Sequence, residues 1–304
     1  MKVQRSFSED GTGALYLVAT PIGNLDDMTV RCLETLRSVD VIACEDTRQT
    51  RKLLNHFQIE KRTVSYHEHN KEASGSGLLQ WLEEGKKIAL VSDAGLPAIS
   101  DPGAELVRDA AAAGYPVIPV PGANAGLTAL IASGLPTDRF VFCGFLSREN
   151  KERRQELERL RRYPETLIFY EAPHRIEKTL AAMREVLGNR RAVLARELTK
   201  RYEEFVRGTL AELSEWLKTG EARGEYCIIV EGSTEGQVEP EELPWWAEMS
   251  TVEHVEYYLE QGLGKKDAIK QAAEDRGVPR RDVYNEFHRE QEAEEADGPD
   301  GPES

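Results

Sequence analysis

Residues Ser92 to Gly103 read Ser-Asp-Ala-Gly-Leu-Pro-Ala-Ile-Ser-Asp-Pro-Gly, the densest run of ligand-gripping residue types in the chain. Asp93 and Asp101 are acceptors suited to ribose hydroxyls or to a cationic group, and Gly95 and Gly103 let backbone approach a ligand closely. Pro97 and Pro102 stiffen the stretch. It outruns the roughly two to six residues of an ordinary strand-to-helix turn. Two further loops repeat the logic. Thr20-Pro21-Ile22-Gly23-Asn24-Leu25 follows the apolar run Leu15 to Ala19, and Pro121-Gly122-Ala123-Asn124-Ala125 follows Val117 to Val120. Asn124 and Ala125 then stand at a helix start, where free N–H groups meet acceptors. Three such loops after three strands predict one shared ligand crevice, the position at which open α/β sheets bind.

The elements that carry these loops alternate. Short β-rich runs lie near 15–20, 40–45, 63–66, 87–92 and 116–120, with helical patterns near 27–38, 47–57, 77–85, 103–113 and 124–133. Such alternation predicts a largely parallel sheet with helices on both faces, over residues 14–136 and after a loose tail at 1–13. Gly134-Leu135-Pro136 marks a break. Residues 137–232 then read as a second α/β domain built on a smaller sheet: strands at 140–145, 166–170, 192–197, 203–208 and 226–231, with helices at 149–163, 175–187 and 210–218. An acidic linker at 233–249 leads to three short helical stripes in 250–289, separated by Gly-containing turns, and to an acidic tail at 290–304 that reads as disordered. The three stripes form either a helix-turn-helix module or an appendage that packs on its own domain or a partner, and composition favours the appendage.

The 304 residues suffice for one or two cores, and no apolar run approaches a membrane span. The start, Met1-Lys2-Val3-Gln4-Arg5-Ser6, lacks a signal peptide's apolar stretch, which points to the cytoplasm. Cys32, Cys44, Cys143 and Cys227 form no Cys-x-x-Cys pair and read as reduced thiols. His67 and His69 suggest a metal only until one looks for a third ligand, so no metal is expected. A net charge of −15 opposes nucleic-acid binding, but it is segregated: residues 235–248 and 289–304 hold −11 of it, whereas Arg148 to Arg162 carries +3.

The loops contain no Gly-x-x-x-x-Gly-Lys-Ser/Thr cradle, no Gly-x-Gly-x-x-Gly and no Gly-x-Ser-x-Gly elbow. An acceptor-rich crevice without phosphate machinery suits an adenosine-bearing ligand with positive charge, and S-adenosylmethionine fits. Six segments in order carry a resemblance: Leu17-Val18-Ala19-Thr20-Pro21-Ile22-Gly23-Asn24-Leu25, Cys44-Glu45-Asp46-Thr47-Arg48 with Thr50 to Leu54, Ser92 to Gly103, Pro121-Gly122 with Ser133-Gly134-Leu135-Pro136, Phe169-Tyr170-Glu171-Ala172-Pro173-His174-Arg175, and Arg196-Glu197-Leu198-Thr199-Lys200. Over residues 14–232 the chain closely resembles the RsmI family, 2′-O-ribose methyltransferases that act on a cytidine of small-subunit ribosomal RNA and share the tetrapyrrole-methylase fold. Leu96 and Ala98 depart from the Thr and Gly common in that family, Ala172 replaces a small or hydroxyl residue, and the acidic tail lies outside its pattern.

The resemblance implies two α/β domains with a cofactor cleft between them, a homodimer, and S-adenosylmethionine against Pro21, Asp93, Gly95, Leu96, Asn124 and Ala125, with Tyr170 and Glu171 closing from the second domain. Glu45, Asp46 and Arg48 end a strand that points at the same crevice, with Asp46 the expected base and Arg48 a phosphate or charge clamp, and Asn24 is a ribose-orienting group. A structural Asp–Arg pair at a helix start and a turn-forming Asn explain the same residues equally well. Asp101, His174, Arg175, Glu197, Lys200, Arg153 and Arg154 are the expected substrate contacts, the basic cluster being alternatively a solvated helix face. Competing functions are a small-molecule methylase of the same fold, acting on a tetrapyrrole or a protein residue, and a nonenzymatic DNA-binding regulator using residues 251–288.

Overall fold

The computed structural model describes residues 3–4, 6, 12–67, 71–101, 103–220, 222–234, 245–246 and 249–296, side chains at 71–73 and 290–296 excepted. His69, Pro102 and most of the expected N-terminal tail and acidic linker therefore lie outside the described residues. Two compact units are present, Met1–Gly236 and Gln237–Ser304. Among the described residues no helix is long and apolar enough to cross a membrane.

The first unit begins with a five-stranded, wholly parallel sheet made of β1 (Ala14–Val18), β2 (Val41–Cys44), β3 (Arg62–Ser65), β4 (Lys87–Val91) and β5 (Val117–Val120), in the order β3-β2-β4-β1-β5. Near-continuous apolar runs make β1, β2, β4 and β5, because both their faces are covered, whereas the edge strand β3 reads Arg-Thr-Val-Ser and is only half-buried. Ile42, Cys44, Ala89 and Val91 point to one side, against Cys32 and Leu36 of α1 (Val30–Ser38) and Leu54 of α2 (Thr47–His56). Val41, Ala43, Ile88 and Leu90 point to the other, against α3 (Lys71–Glu83) and α4 (Gly103–Ala113). The order makes β4, β1 and β5 neighbours, so the three ligand-type loops leave adjacent strand ends, as the sequence predicts.

Helix boundaries shift where caps decide them. Thr29 accepts from the Cys32 N–H, so α1 starts at Val30, and a separate turn of 3₁₀-helix at Leu25–Asp27 is capped by Asn24. Helix α3 starts six residues before the expected 77, because burial of Leu78 and Leu82 overrides the poor propensity of Ser74-Gly75-Ser76-Gly77.

The second sheet is not smaller: it too has five strands, β6 (Phe140–Phe145), β7 (Thr166–Glu171), β8 (Arg191–Arg196), β9 (Glu204–Thr209) and β10 (Tyr226–Val230), in the order β6-β7-β10-β8-β9. Only β6 and β7 run parallel; β10 is antiparallel to both β7 and β8. One face packs on α6 (Asn150–Leu160), α7 (Ile176–Leu187) and α8 (Leu210–Leu217). The other is covered by α5 (Ala125–Ser133), whose Ala129 and Leu130 meet Ile168, Val193 and Ile229. Helix α5, expected with the first domain, thus shares its core with the second sheet. Arg207 of β9 fixes it there, donating to the carbonyls of Ala132 (2.5 Å) and Ser133 (3.2 Å) at its C-terminus.

The second unit is a three-helix module of α9 (Thr251–Glu260), α10 (Lys265–Arg276) and α11 (Arg280–Ala296), with its own core of Val255, Ile269, Ala272, Val283 and Phe287. Helix α11 continues seven residues past Arg289, into the stretch expected to be disordered. Glutamate and alanine are good helix formers, and the buried Val283 and Phe287 supply the nucleus that the tail's composition conceals.

Candidate active site

A cleft of about 530 Å³ opens between the two sheets of the first unit, within the usual range of small-molecule sites, roughly 300–1,000 Å³. One wall is the Ser92 to Asp101 loop with Ile22, Glu45, Asn124 and Ala125; the other is Phe145, Tyr170 to Pro173, Ala195, Leu198, Lys200 and Glu225 to Cys227. The first-sheet loops are stitched together: Thr20 and Gly95 exchange both backbone hydrogen bonds (2.9 and 3.1 Å), and the buried Thr20 hydroxyl donates to the Ser92 carbonyl (3.1 Å). Gly95 sits at φ +82, where a Cβ would press on Ile22 at 3.3 Å. Ala98 (φ 67) and Ser100 (φ 55) hold left-handed backbone without being glycine, a strain concentrated in the loop that faces the cleft.

Asp93, Gly95, Leu96, Asn124, Ala125, Tyr170 and Glu171 of the expected cofactor set line this cleft, with Asp101 and Lys200 of the expected substrate set. Pro21 lies next door, in a shallower groove shared with Gln49, Thr50, Lys52 and His56. Asn124 caps α5, accepting from the Leu127 N–H at 2.8 Å, and Tyr170 accepts from the Gly126 N–H at 3.0 Å. Burial raises the Tyr170 phenol above its ordinary value. The Glu171 carboxylate is fully buried and committed elsewhere, to Arg175 Nε (3.2 Å) and the Thr179 hydroxyl (2.6 Å), so only its backbone and stem can meet a ligand.

Lys200 occupies the junction of the deep cleft, the Pro21 groove and a third groove formed by Gly23, Asn24, Leu25, Asp26, His56, Thr199 and Arg201. Its Nζ donates to Glu197 (2.9 Å) and Glu225 (3.1 Å). Burial works against its charge, but these carboxylates outweigh burial and hold its pKa above the ordinary value, while the Lys200 hydrogen bond keeps Glu197 low. Lys200 is therefore a fixed cation, the one cationic side chain among the residues lining the deep cleft, whose lining also includes Glu45, Asp93, Asp101 and Glu225.

Several expected residues fall outside. Asp46 is the N-cap of α2: its carboxylate accepts from the Arg48 N–H (2.8 Å) and pairs with the Arg48 guanidinium (3.0 Å), which holds it below the ordinary carboxylate range. That is the structural alternative, and it is poor equipment for a base. Arg48 is 85% exposed on its side chain and lines none of the three grooves. Asn24 caps the 3₁₀ turn, accepting from Asp26 (3.1 Å), and borders only the outer groove. Arg175 is tied to Glu171 and to the carbonyls of Leu146 (2.6 Å) and Ser147 (3.3 Å); His174 is exposed beside it. Arg153 is buried against Asn150 (2.5 Å), and Arg154 pairs with Glu185. The basic helix is thus partly internal and partly a surface ion-pair face.

The profile of the tetrapyrrole (corrin/porphyrin) methylases matches residues 14–214. The ribosomal RNA small subunit methyltransferase I of Halalkalibacterium halodurans is 59% identical over 291 residues, 95% of this chain and 100% of its own length. Its namesake from Bacillus subtilis is 56% identical over 95% of this chain and 99% of its own. The chain belongs to the tetrapyrrole methylase family, in its small-subunit ribosomal RNA methyltransferase I group. The same fold is seen in uroporphyrin-III C-methyltransferase of Thermus thermophilus, solved with S-adenosylhomocysteine (TM-score 0.51, 22% identity, 72% of this chain and 97% of that one).

For this family member, the cleft residues missed by sequence reasoning come chiefly from the second sheet. Tyr226 and Cys227 begin β10, and their pairing with Glu171 and Tyr170 is visible only once β10 is known to be antiparallel to β7. Glu45 directly follows β2, and the sequence places it at the crevice while giving the base role to its neighbour Asp46. Burial, then repulsion from Asp101 and Asp93, raises its pKa; burial also raises that of Asp101.

Proposed function

We propose that this chain is an S-adenosylmethionine-dependent enzyme that methylates the ribose 2′-hydroxyl of a cytidine in 16S ribosomal RNA of the small subunit, in the cytoplasm. The observation that carries the reading is the cleft itself: an apolar lining of Ile22, Leu96, Ile99, Phe145 and Leu198 beside an excess of carboxylates, at the joined ends of β4, β1 and β5. The donor set fits the cofactor. Apolar side chains suit the adenine and thioether faces, Asp93 a ribose or amino group, and the net negative lining a sulfonium, which supplies an activated methyl group when bound.

The chain's own groups then have separable tasks. Tyr170 and Asn124 lock the α5 N-terminus against the cleft wall, giving a rigid wall that would hold cofactor and acceptor hydroxyl in a fixed mutual position. Glu45, rather than Asp46, takes the hydroxyl proton, because it faces the cleft and its raised pKa brings its basicity nearer to neutrality. Lys200 offers fixed positive charge to the developing oxyanion or a flanking phosphate.

A homodimer accompanies this reading. Leu127 and Ile131 of α5 are 46% and 77% exposed, Phe140 and Phe142 of the edge strand β6 are 41% and 37% exposed, and all four flank the same side of the second sheet. An apolar strip beside a strand edge that no described residue pairs suits a second copy.

The test is transfer from radiolabelled S-adenosylmethionine to small ribosomal subunits lacking native methylation, with the product mapped by nuclease digestion and mass spectrometry. Label on one cytidine ribose supports the reading. No label despite measurable cofactor binding rules it out in favour of a small-molecule acceptor.

A further inference from the structure

The three-helix module carries a face that the cleft chemistry leaves unused. Successive residues of α11 advance by about 100°, and Val283 and Phe287 define its buried side. Arg280, Arg281, Tyr284 and His288 then fall along one flank, whereas Asp282 and Glu286 fall along the other. Helix α10 extends the basic flank. Arg280 Nη2 donates to the Lys266 carbonyl at 3.1 Å, which brings the first turn of α10, with Lys265 and Lys266, beside the first turn of α11. Lys265 Nζ lies 5.0 Å from the Phe287 ring centroid, so its stem is seated on the module's core.

The character of this flank is specific. Among the described residues Lys266 and Arg281 are exposed and make no ion pair, while Tyr284 is 49% exposed with its ring 4.3 Å from that of His288. Lys266 and Arg281, without acidic partners among the described residues, beside the exposed Tyr284 and the half-buried His288, on a molecule of net charge −15, would be an odd surface for a protein partner of ordinary composition. They match a polyanion that also offers flat faces: phosphates for Lys266, Arg280 and Arg281, and an unstacked base for Tyr284. Helix α10, the Gly277-Val278-Pro279 turn and α11 have the connectivity of a helix-turn-helix, with Gly277 left-handed at φ 62 to make the turn.

We propose that the α10–α11 flank formed by Lys265, Lys266, Arg280, Arg281, Tyr284 and His288 is an RNA-docking surface that grips a looped segment of the ribosomal RNA substrate outside the catalytic cleft. This reverses the sequence-based preference for a packing appendage, because the segregation of charge over residues 280–288 of α11 is visible only when Val283 and Phe287 fix its inward side. The inference rests on the ribosomal RNA reading of the cleft, and its test separates the two.

The full-length chain and a Lys266→Ala/Arg281→Ala/Tyr284→Ala variant are compared by filter binding to labelled small-subunit ribosomal RNA over a salt series, with a DNA duplex as competitor. Methyl transfer and S-adenosylmethionine binding are measured in parallel. The variant is expected to bind RNA at least about tenfold more weakly, with a slope of log affinity against log salt shallower by roughly 1.5–2. Its KM for RNA rises, while kcat at saturating RNA and cofactor affinity stay at wild-type values. Lys266→Arg/Arg281→Lys, which keeps the charge and Tyr284, restores binding. Unchanged RNA affinity and salt slope in the triple variant overturn the proposal, as does loss of DNA binding alone. If the wild-type chain transfers no methyl group to ribosomal RNA, the cleft reading fails, and the binding series still decides the fate of the surface.

Discussion

Asp46 and Glu45 are neighbours in sequence with opposite fates, and the difference lies in which one helix α2 requires. The Asp46 side chain caps that helix and pairs with Arg48. Asp46→Ala is therefore expected to lower the melting temperature and leave kcat near wild type, whereas Glu45→Gln should depress kcat by about 10²-fold or more and flatten the acidic limb of the pH–rate profile. Loss of activity in Asp46→Ala with an unchanged melting temperature would contradict this division. Asp101 supplies a second readout. Its pKa is raised from 3.8 by burial, so the protonated form favours folding below that value, and the contribution is lost as pH rises through the higher folded value. Asp101→Asn keeps the acceptor for the Gly103 N–H (3.1 Å) and should match wild-type stability in acid but exceed it at neutral pH, as read by denaturant midpoints across pH. Ala98 pays for its left-handed φ of 67, and Ala98→Gly should stabilise the chain by about 1 kcal/mol in urea titrations. The departure from the glycine common in the resembling family is legible in the sequence; its cost needs the backbone angle.

At the scale of elements, the first sheet was readable and the second only in part. Parallel strands buried on both faces announce themselves as apolar runs, and three loop motifs after β1, β4 and β5 point to one crevice without any knowledge of strand order. No local pattern states that β10 runs antiparallel between β7 and β8, so Tyr226 and Cys227 could not be placed at the cleft. Nor does the sequence of α5 reveal which sheet it covers, because Ala, Leu and Gly around the whole helix leave its inward side undefined until Ile168 and Ile229 are seen against it. The loop after β8 shows the same dependence. It reaches the first sheet's Thr20 to Leu25 loop, where Asn24 N–H donates to the Thr199 hydroxyl (3.1 Å) and Gly23 has Lys200 Cγ 2.4 Å from where a Cβ would stand. Gly23→Ala must push that loop away, costing about 1–3 kcal/mol of stability and displacing Lys200. Transfer kinetics should then show a lower kcat with cofactor affinity preserved. A variant with wild-type stability and kcat would show that the contact between these loops is dispensable.

For the whole molecule, the net charge of −15 is misleading because it is an average over unlike regions. Residues 290–304 carry seven acids and no base, on the same chain segment that begins with the basic and aromatic flank of α11. Charges this close along one chain interact at low ionic strength, where the screening length is about 30 Å at 0.01 M, and far less at physiological salt, where it is about 8 Å. The acidic segment should therefore weaken and slow RNA association without touching the cleft, acting through field rather than contact. A chain ended after Arg289 keeps Val283 and Phe287, which hold α11 in the module core, and loses the acidic segment together with the last seven residues of the helix. It should bind small-subunit ribosomal RNA roughly threefold to tenfold more tightly than the full chain at low salt, with a faster association rate. The advantage should shrink towards unity as salt is raised to about 0.3 M, and kcat should not change. A salt-independent gain would mean that the tail occupies the basic flank by direct contact. No gain at any salt would mean that RNA never comes within a screening length of the tail, and the docking surface would then have to lie elsewhere.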